Sequence, residues 1–287
     1  MRPVSAVVVN YNAAGHLADC VRSLRVDGAD EIVVVDNAST DGSHQALAEV
    51  DPGARWIATG RNLGFGRAAN RGVVAASHDL VAIMNPDAVV EPGALKVLVD
   101  VLEAEPAIAV VSPRVENPDG TWYPSARAFP SLTDALGHAF LHYVSPDNRF
   151  SRRYKLLDWD HDTARDVDWV SGTFMLVRRD AFESVGGFDE AFFMYVEDVD
   201  LCWRLHDKGW RVRYEPAARV VHTIGGSSEG APYRMIVAHH RSLFRFVANT
   251  YRGPKRALLP LIGVGLAVRA VLACAQRALR RKPPAAP

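Results

Sequence analysis

Val4-Ser5-Ala6-Val7-Val8-Val9-Asn10-Tyr11-Asn12 and, further on, Glu31-Ile32-Val33-Val34-Val35-Asp36-Asn37-Ala38-Ser39-Thr40-Asp41-Gly42 decide the fold. Each is a short, β-branched, almost wholly apolar run that stops abruptly in polar, small or acidic residues. Similar runs recur at residues 55–58, 80–84 and 107–112, and helix-compatible stretches at 17–26, 65–76 and 92–105 lie between most of them. Alternation strands give away one polar face, whereas runs apolar on both faces need cover on both sides. Such runs alternating with helices predict an α/β fold with a mostly parallel sheet flanked by helices.

Composition narrows the possibilities. A chain of 287 residues, 48% hydrophobic, forms one large domain or one domain with an appendage. Its net charge of +0 argues against nucleic-acid binding, which needs a basic stripe. Cys20, Cys202 and Cys274 are far apart and odd in number, so neither a disulfide framework nor a CxxC metal pair can be drawn. A reducing compartment is expected. The apolar run at the N-terminus is too short for a signal peptide and reads as a strand.

In parallel sheets, ligands bind beyond the carboxyl ends of the strands. Those ends are Asn10-Tyr11-Asn12, residues 36–42, Arg61-Asn62-Leu63-Gly64, and Asn85-Pro86-Asp87-Ala88. Turn-making alone could explain each one, but four together on one edge predict a binding site. Asp87, straight after a buried strand and held by Pro86, suits Mg²⁺ or Mn²⁺, which take oxygen ligands and share them with substrate phosphates. The competing reading is a helix cap before Glu91-Pro92-Gly93.

The second concentration of chemistry is Phe192-Phe193-Met194-Tyr195-Val196-Glu197-Asp198-Val199-Asp200, three carboxylates within four residues after large apolar side chains. Like charges this close cost stability unless solvent, a cation or a proton absorbs them. A helix start also fits, because acids in a first turn are favoured by the dipole and Lys208-Gly209 reads as that helix's end. Two other motifs are rejected. Gly64-Phe65-Gly66-Arg67-Ala68-Ala69 fits G-x-G-x-x-A but does not sit in the first strand–helix turn. Gly226-Ser227-Ser228-Glu229-Gly230 fits G-x-S-x-G, but its only neighbouring His, His222, lies upstream.

Taken in order, these blocks, together with Ser171-Gly172-Thr173-Phe174-Met175-Leu176-Val177-Arg178-Arg179 and Val221-His222, resemble a family 2 glycosyltransferase of the GT-A fold over most of residues 4–225. Pro118-Asp119-Gly120-Thr121-Trp122-Tyr123-Pro124-Ser125-Ala126-Arg127 and the 193–200 stretch look most like bacterial cell-wall rhamnosyltransferases. Those enzymes move L-rhamnose from dTDP-β-L-rhamnose to N-acetylglucosamine on a polyprenyl diphosphate. The resemblance implies nucleotide-sugar binding by Asn10, Asn12, Asp36, Asn62, Gly64, Asn85 and Asp87, with Asp36 on the pyrimidine. It places Asn85 and Asp87 where the family has its DxD metal motif, so the first acid of that motif is an asparagine here. Asp87 and His222 are then the expected ligands of a divalent cation, the lesser alternative for His222 being a strand-end cap. It also implies Asp198 as the base that takes the acceptor hydroxyl's proton, Glu197 beside it, an inverting displacement, and Asp200 in a structural role paired with Arg204.

Domain limits of 1–230 and 231–287 follow from the change in composition after Tyr233. Residues 257–275 are almost wholly apolar apart from Arg269, with basic residues on both flanks. The length approaches a membrane span, but an internal arginine is costly there. With Arg269, Gln276 and Arg280 on one helical face, the pattern reads as a C-terminal helical extension lying on a membrane surface, or as a helix packed on the domain or on a homodimer partner. The expected partners are a nucleotide-sugar donor, with dTDP-rhamnose favoured, a lipid-linked saccharide acceptor, and the cytoplasmic face of the cell membrane. A UDP- or GDP-sugar transferase for O-antigen or exopolysaccharide is the alternative, followed by a non-catalytic nucleotide-sugar binding module. The last residues, 283–287, are expected to be disordered.

Overall fold

The computed structural model describes residues 1–129, 145, 148–223 and 232–280. The G-x-S-x-G run at 226–230 and the tail at 283–287 lie outside the described residues. Through the first half the chain alternates: β1 (Val4–Asn10), α1 (Ala14–Val26), β2 (Glu31–Asp36), α2 (Ser43–Val50), β3 (Arg55–Ala58), α3 (Phe65–Ala75), β4 (Leu80–Met84), β5 (Ala88–Val90), α4 (Ala94–Ala104), β6 (Ile108–Glu116). Then come β7 (Ala126–Arg127), α5 (Arg149–Tyr154), β8 (Arg165–Val167), β9 (Trp169–Val170), β10 (Phe174–Arg178), α6 (Arg179–Ser184), α7 (Glu197–Asp207), β11 (Arg211–His222), α8 (Pro232–Thr250), a 3₁₀ segment (Gly253–Leu258) and α9 (Leu259–Arg280).

Among the described residues the main sheet has nine strands. Its path runs β3-β2-β1-β4-β10-β6-β11-β5, and β8 pairs with β11. β3, β2, β1 and β4 are mutually parallel, which brings the ends of β1 and β2 level, Asn10 opposite Asp36. The later strands break the parallel pattern, since β10 is antiparallel to both β4 and β6, and β5 and β8 are antiparallel to β11. β1 shows why its run is apolar throughout. Val7 and Val9 pack on one face with Phe65, Ala68 and Val73 of α3, while Val4, Ala6 and Val8 pack on the other with Leu17, Val21 and Leu24 of α1. β3 departs from the expectation of a buried strand, because it is the sheet edge and both its ends are exposed.

α9 projects its apolar residues outwards. Leu261, Val264, Val268, Val271, Leu272 and Leu279 are exposed, while Gly263 packs on the Phe244 ring of α8. The helical segment Gly253–Leu279 is long and apolar enough to cross a membrane.

Candidate active site

The first wall of the site is built by the ends of β1 and β2. Asn10 Nδ2 donates to Asp36 Oδ1 (2.9 Å) and Ser39 Oγ (3.0 Å), and Ser39 Oγ in turn donates to Asp36 Oδ1 (2.5 Å). The Ser39 N–H meets Asp36 Oδ2 at 3.0 Å. Asn12, at φ +50°, locks the same turn by donating its N–H to Ser39 Oγ and accepting from Thr40 N–H, each at 2.9 Å. A buried carboxylate is tolerable when several N–H and O–H groups converge on it, and Asp36 is held that way with no ion-pair partner among the described residues.

Asn62 shapes the turn after β3, with its Oδ1 accepting the Gly64 N–H at 2.9 Å. Gly64 sits at φ +86° and ψ 174°, a conformation that essentially only glycine adopts. A Cβ there would come within 1.9 Å of the Phe193 carbonyl oxygen, which also accepts the Phe65 N–H at 3.2 Å. The close approach that requires glycine is therefore to the chain segment leading into α7. Gly66, the second glycine of the G-x-G-x-x-A run, is likewise packed on protein, against the Phe188 side chain.

The Asn85-Pro86-Asp87 turn meets the end of β11. Asp87 Oδ1 lies 3.1 Å from His222 Nε2, and Asn85 Nδ2 lies 3.5 Å from the same nitrogen. Only 11% of each of the Asp87 and His222 side chains is exposed, so the pair converges in a partly dry corner. Asp87 is not a helix cap; Asp27 fills that role for α4, accepting from Leu95 N–H at 2.7 Å and from Gly93 N–H. Two neighbouring ligands about 2.1 Å from one octahedral ion stand about 3 Å apart, close to the observed Asp87–His222 separation. Among the described residues no group of three or more His, Cys, Asp or Glu forms a metal cluster. One carboxylate oxygen and one imidazole nitrogen thus fit a divalent cation that takes two protein ligands and fills its shell with phosphate oxygens and water.

Opposite stands α7, entered through two non-glycine residues in left-handed conformation, Tyr195 at φ +66° and Val196 at φ +71°. For β-branched Val196 this is an outlier, and such strain gathers at functional sites. The three acids then separate. Asp198 Oδ2 accepts the Gly172 N–H at 3.1 Å and its Oδ1 accepts the Val199 N–H at 2.8 Å. Burial pushes its carboxyl above the usual range, against those two N–H groups and the Arg127 charge, which favour ionisation. Glu197 is buried, its Oε2 has no partner among the described residues, and burial followed by the Asp198 charge pushes it up to about 8. Asp200 faces away, to Arg204 Nε at 2.7 Å, while Arg204 Nη1 donates to the Val185 and Gly187 carbonyls.

One loop joins the two halves. Asn85 N–H donates to the Thr173 carbonyl (3.1 Å), and the adjacent Gly172 N–H holds Asp198. Ser171 N–H donates to the Ser125 carbonyl (2.8 Å), extending the β7–β9 pairing in which Arg127 stands opposite Trp169. Residue-type reasoning assigned no role to Asn37, Ser39, Tyr123, Arg127 or Gly172. Asn37 binds both Leu63 N–H and the Gly64 carbonyl, and the Tyr123 ring centre lies 6.2 Å from that of His222. Their only signal was membership in the quoted blocks 36–42, 118–127 and 171–179.

The Glycosyl transferase family 2 profile matches residues 5–186. The chain is 38% identical over 266 residues to N-acetylglucosaminyl-diphospho-decaprenol L-rhamnosyltransferase of Mycobacterium tuberculosis (strain ATCC 25618 / H37Rv), covering 88% of this chain and 86% of that one. It is 26% identical over 254 residues to Rhamnosyltransferase WbbL of Escherichia coli (strain K12), covering 86% and 93%. Among solved structures, the mannosyltransferase PcManGT from Pyrobaculum calidifontis in complex with GDP-Man and Mn²⁺ superposes with a TM-score of 0.61 at 20% identity, over 99% of this chain and 77% of that one. That likeness concerns the fold, a GT-A arrangement of mostly parallel sheet and flanking helices.

Proposed function

The chain belongs to glycosyltransferase family 2, and we propose that it moves L-rhamnose from dTDP-β-L-rhamnose to N-acetylglucosamine on a polyprenyl diphosphate. The observation that carries this reading is the shared loop, with Asp87–His222 on one side of Ser171-Gly172-Thr173 and Asp198 on the other. An anion-handling corner and a proton acceptor then face one donor sugar. The 38% identity to a relative named for rhamnosyl transfer to a diphospho-decaprenol sugar supports the choice of donor and acceptor.

In this reading Asn10, Asn12, Asp36 and Asn62 line the nucleotide end, with Asp36 oriented by Ser39 and Asn10 to accept from the base ring. Asn85, Asp87 and His222 lie at the diphosphate. A Mg²⁺ or Mn²⁺ ion held by Asp87 and His222 would neutralise charge on the departing diphosphate. Asp198 takes the proton of the attacking hydroxyl, and single displacement at the anomeric carbon inverts it. Gly172 N–H and Val199 N–H fix both carboxylate oxygens, so the base meets the hydroxyl with little reorganisation. Residues 231–287 are the membrane-attachment part, with the exposed apolar side of α9 at the cytoplasmic leaflet.

The test is transfer by the full chain to a synthetic N-acetylglucosaminyl diphospho-lipid, comparing dTDP-β-L-rhamnose with UDP- and GDP-sugars in Mg²⁺, Mn²⁺ or EDTA. Rhamnosyl product from the dTDP donor, lost in EDTA, is expected. Turnover only with a UDP- or GDP-sugar would replace the donor, and donor binding without transfer would leave a binding module.

A further inference from the structure

Four basic side chains on the segments around the base and the apolar helix form no ion pair with a described carboxylate. Arg127 donates its Nε to the Pro124 carbonyl at 2.8 Å, and its guanidinium centre lies 5.2 Å from the Trp169 ring centre and 5.5 Å from that of Tyr154. From the other side α8 brings His239 against Tyr195, ring centres 5.4 Å apart, only three residues before Asp198. His240 follows, 5.6 Å from His239. α9 packs on α8 at Gly263–Phe244, and the charge of its Arg269 acts on both histidines.

The electrostatics tie these groups into one cluster. Burial, then the neighbouring His240, Arg269 and Arg127 charges, push His239 down to about 4; burial and Arg269 also lower His240. Arg127 acts on Asp198 as well. Among the described residues neither Arg127 nor Arg269 forms an ion pair with a carboxylate, whereas Arg204, Arg213 and Arg245 all do. His240 is 8% exposed; its Nδ1 meets the Ile236 carbonyl at 2.7 Å, and its buried Nε2 has no partner among the described residues. Like charges and an unpaired buried nitrogen are costly arrangements unless an anion completes them.

We propose that Arg127, His239, His240 and Arg269 form the binding site for the diphosphate of a lipid-linked sugar, set between the base and α9. This rests on the glycosyltransferase reading above. The spatial order is the argument. In such an acceptor the reacting hydroxyl, the diphosphate one sugar ring away and the lipid follow in sequence. In the protein Asp198 lies three residues beyond Tyr195, whose ring meets His239; His239 and His240 stand on α8, and α9, with its exposed Leu261, Val264, Val268, Val271 and Leu272, packs on α8, so base, basic side chains and apolar stripe follow in the same sequence. Arginine is suited to this because its planar fork grips phosphate oxygens bidentately. The donor's diphosphate has a separate corner, at Asp87 and His222.

Geranyl diphosphate, which carries the diphosphate and a short lipid but no sugar, is the probe. Calorimetric titration into the full chain should give binding that R269Q and R127Q each weaken by about tenfold or more, while dTDP binding in Mn²⁺ is unchanged. R269Q, on the peripheral helix, keeps the test alive if R127Q does not fold. Geraniol or inorganic diphosphate binding as tightly as geranyl diphosphate would overturn the lipid-diphosphate assignment. So would wild-type affinity in R269Q, or a parallel loss of dTDP. Were geranyl diphosphate binding to depend on both arginines while no sugar reached the diphospho-lipid acceptor, the site would stand and the transfer reading would fall.

Discussion

Gly172 and Asp198 are joined by a 3.1 Å hydrogen bond from the Gly172 N–H to Oδ2, across 26 residues of sequence. The bond fixes one carboxylate of an acidic helix start and makes it different from its neighbours. Asp198→Asn keeps the shape and one carbonyl acceptor but removes the basicity. Loss of a general base costs about 10²–10⁴ in rate, so kcat should fall by at least about a hundredfold. Thermal shift with dTDP should stay near wild type. Wild-type kcat in this variant would remove Asp198 from the role of base.

Glu197 gives a pH signature. Its folded carboxyl, pushed up to about 8 from 4.5, holds its proton more tightly than in the unfolded chain. Stability from this group is therefore complete below about 4.5 and is lost as pH rises through about 8. Glu197→Gln mimics the protonated form with a group that cannot ionise. Melting curves from pH 5 to 8.5 should show wild type declining relative to E197Q, and the kcat loss in E197Q should be smaller than in D198N. Parallel melting curves would contradict the buried, protonated Glu197.

Gly64→Ala tests the clamp between the turn after β3 and the segment before α7. An added Cβ at 1.9 Å from the Phe193 carbonyl, in a glycine-only conformation, must move one backbone or the other. Destabilisation on the order of 2–4 kcal/mol is expected. Whatever folded protein remains should lose kcat as well as donor affinity, because Phe193 leads directly to Tyr195 and Val196. A loss confined to donor KM would instead place Gly64 against the nucleotide.

This clamp also shows what was legible beforehand. Asn10, Asp36, Asn62 and Asp87 could be placed on one edge because a run apolar on both faces announces a buried parallel strand, and its last polar residue announces the edge. The Asp200–Arg204 pair was readable from helical spacing. Gly64's partner lies 129 residues away and Gly172's 26, and no local pattern encodes such contacts. The antiparallel insertion of β10 between β4 and β6 was hidden for the same reason, since a central strand apolar on both faces looks alike in either direction. Arg127 resembled any surface cation until β7 and β9 paired.

Asp200→Asn should separate structure from chemistry within the same helix turn. Asp200 is 2% exposed and is the carboxylate paired with Arg204, whose guanidinium also serves two carbonyls. Leaving that cation partly buried without its acid should cost about 2–3 kcal/mol in denaturant unfolding, below the 3–5 of a fully buried pair. Assayed well below the melting temperature, kcat should stay within about twofold of wild type, since the side chain faces away from Gly172. A hundredfold kcat loss would put Asp200 in the chemistry.

In the proposed reading the exposed side of α9 meets the membrane that holds the acceptor. Leu261 is 71% exposed, Val264 63% and Val271 68%, all on a helix whose Arg269 side turns to α8. Leaving such a stripe in water is unfavourable at about 25 cal/mol per Å², and a bilayer surface relieves it. Glutamate at 261, 264 and 271 together should abolish co-sedimentation with anionic phosphatidylglycerol vesicles. Deleting residues 256–287 should do the same, but at the additional loss of Arg269. The triple variant keeps Arg269, so it should still transfer sugar to a short, water-soluble diphospho-lipid acceptor at near wild-type kcat while failing on long-chain acceptor in vesicles. Unchanged sedimentation of both variants would assign the stripe to packing between copies of this chain, which sedimentation velocity would then show as a dimer that the glutamates dissociate.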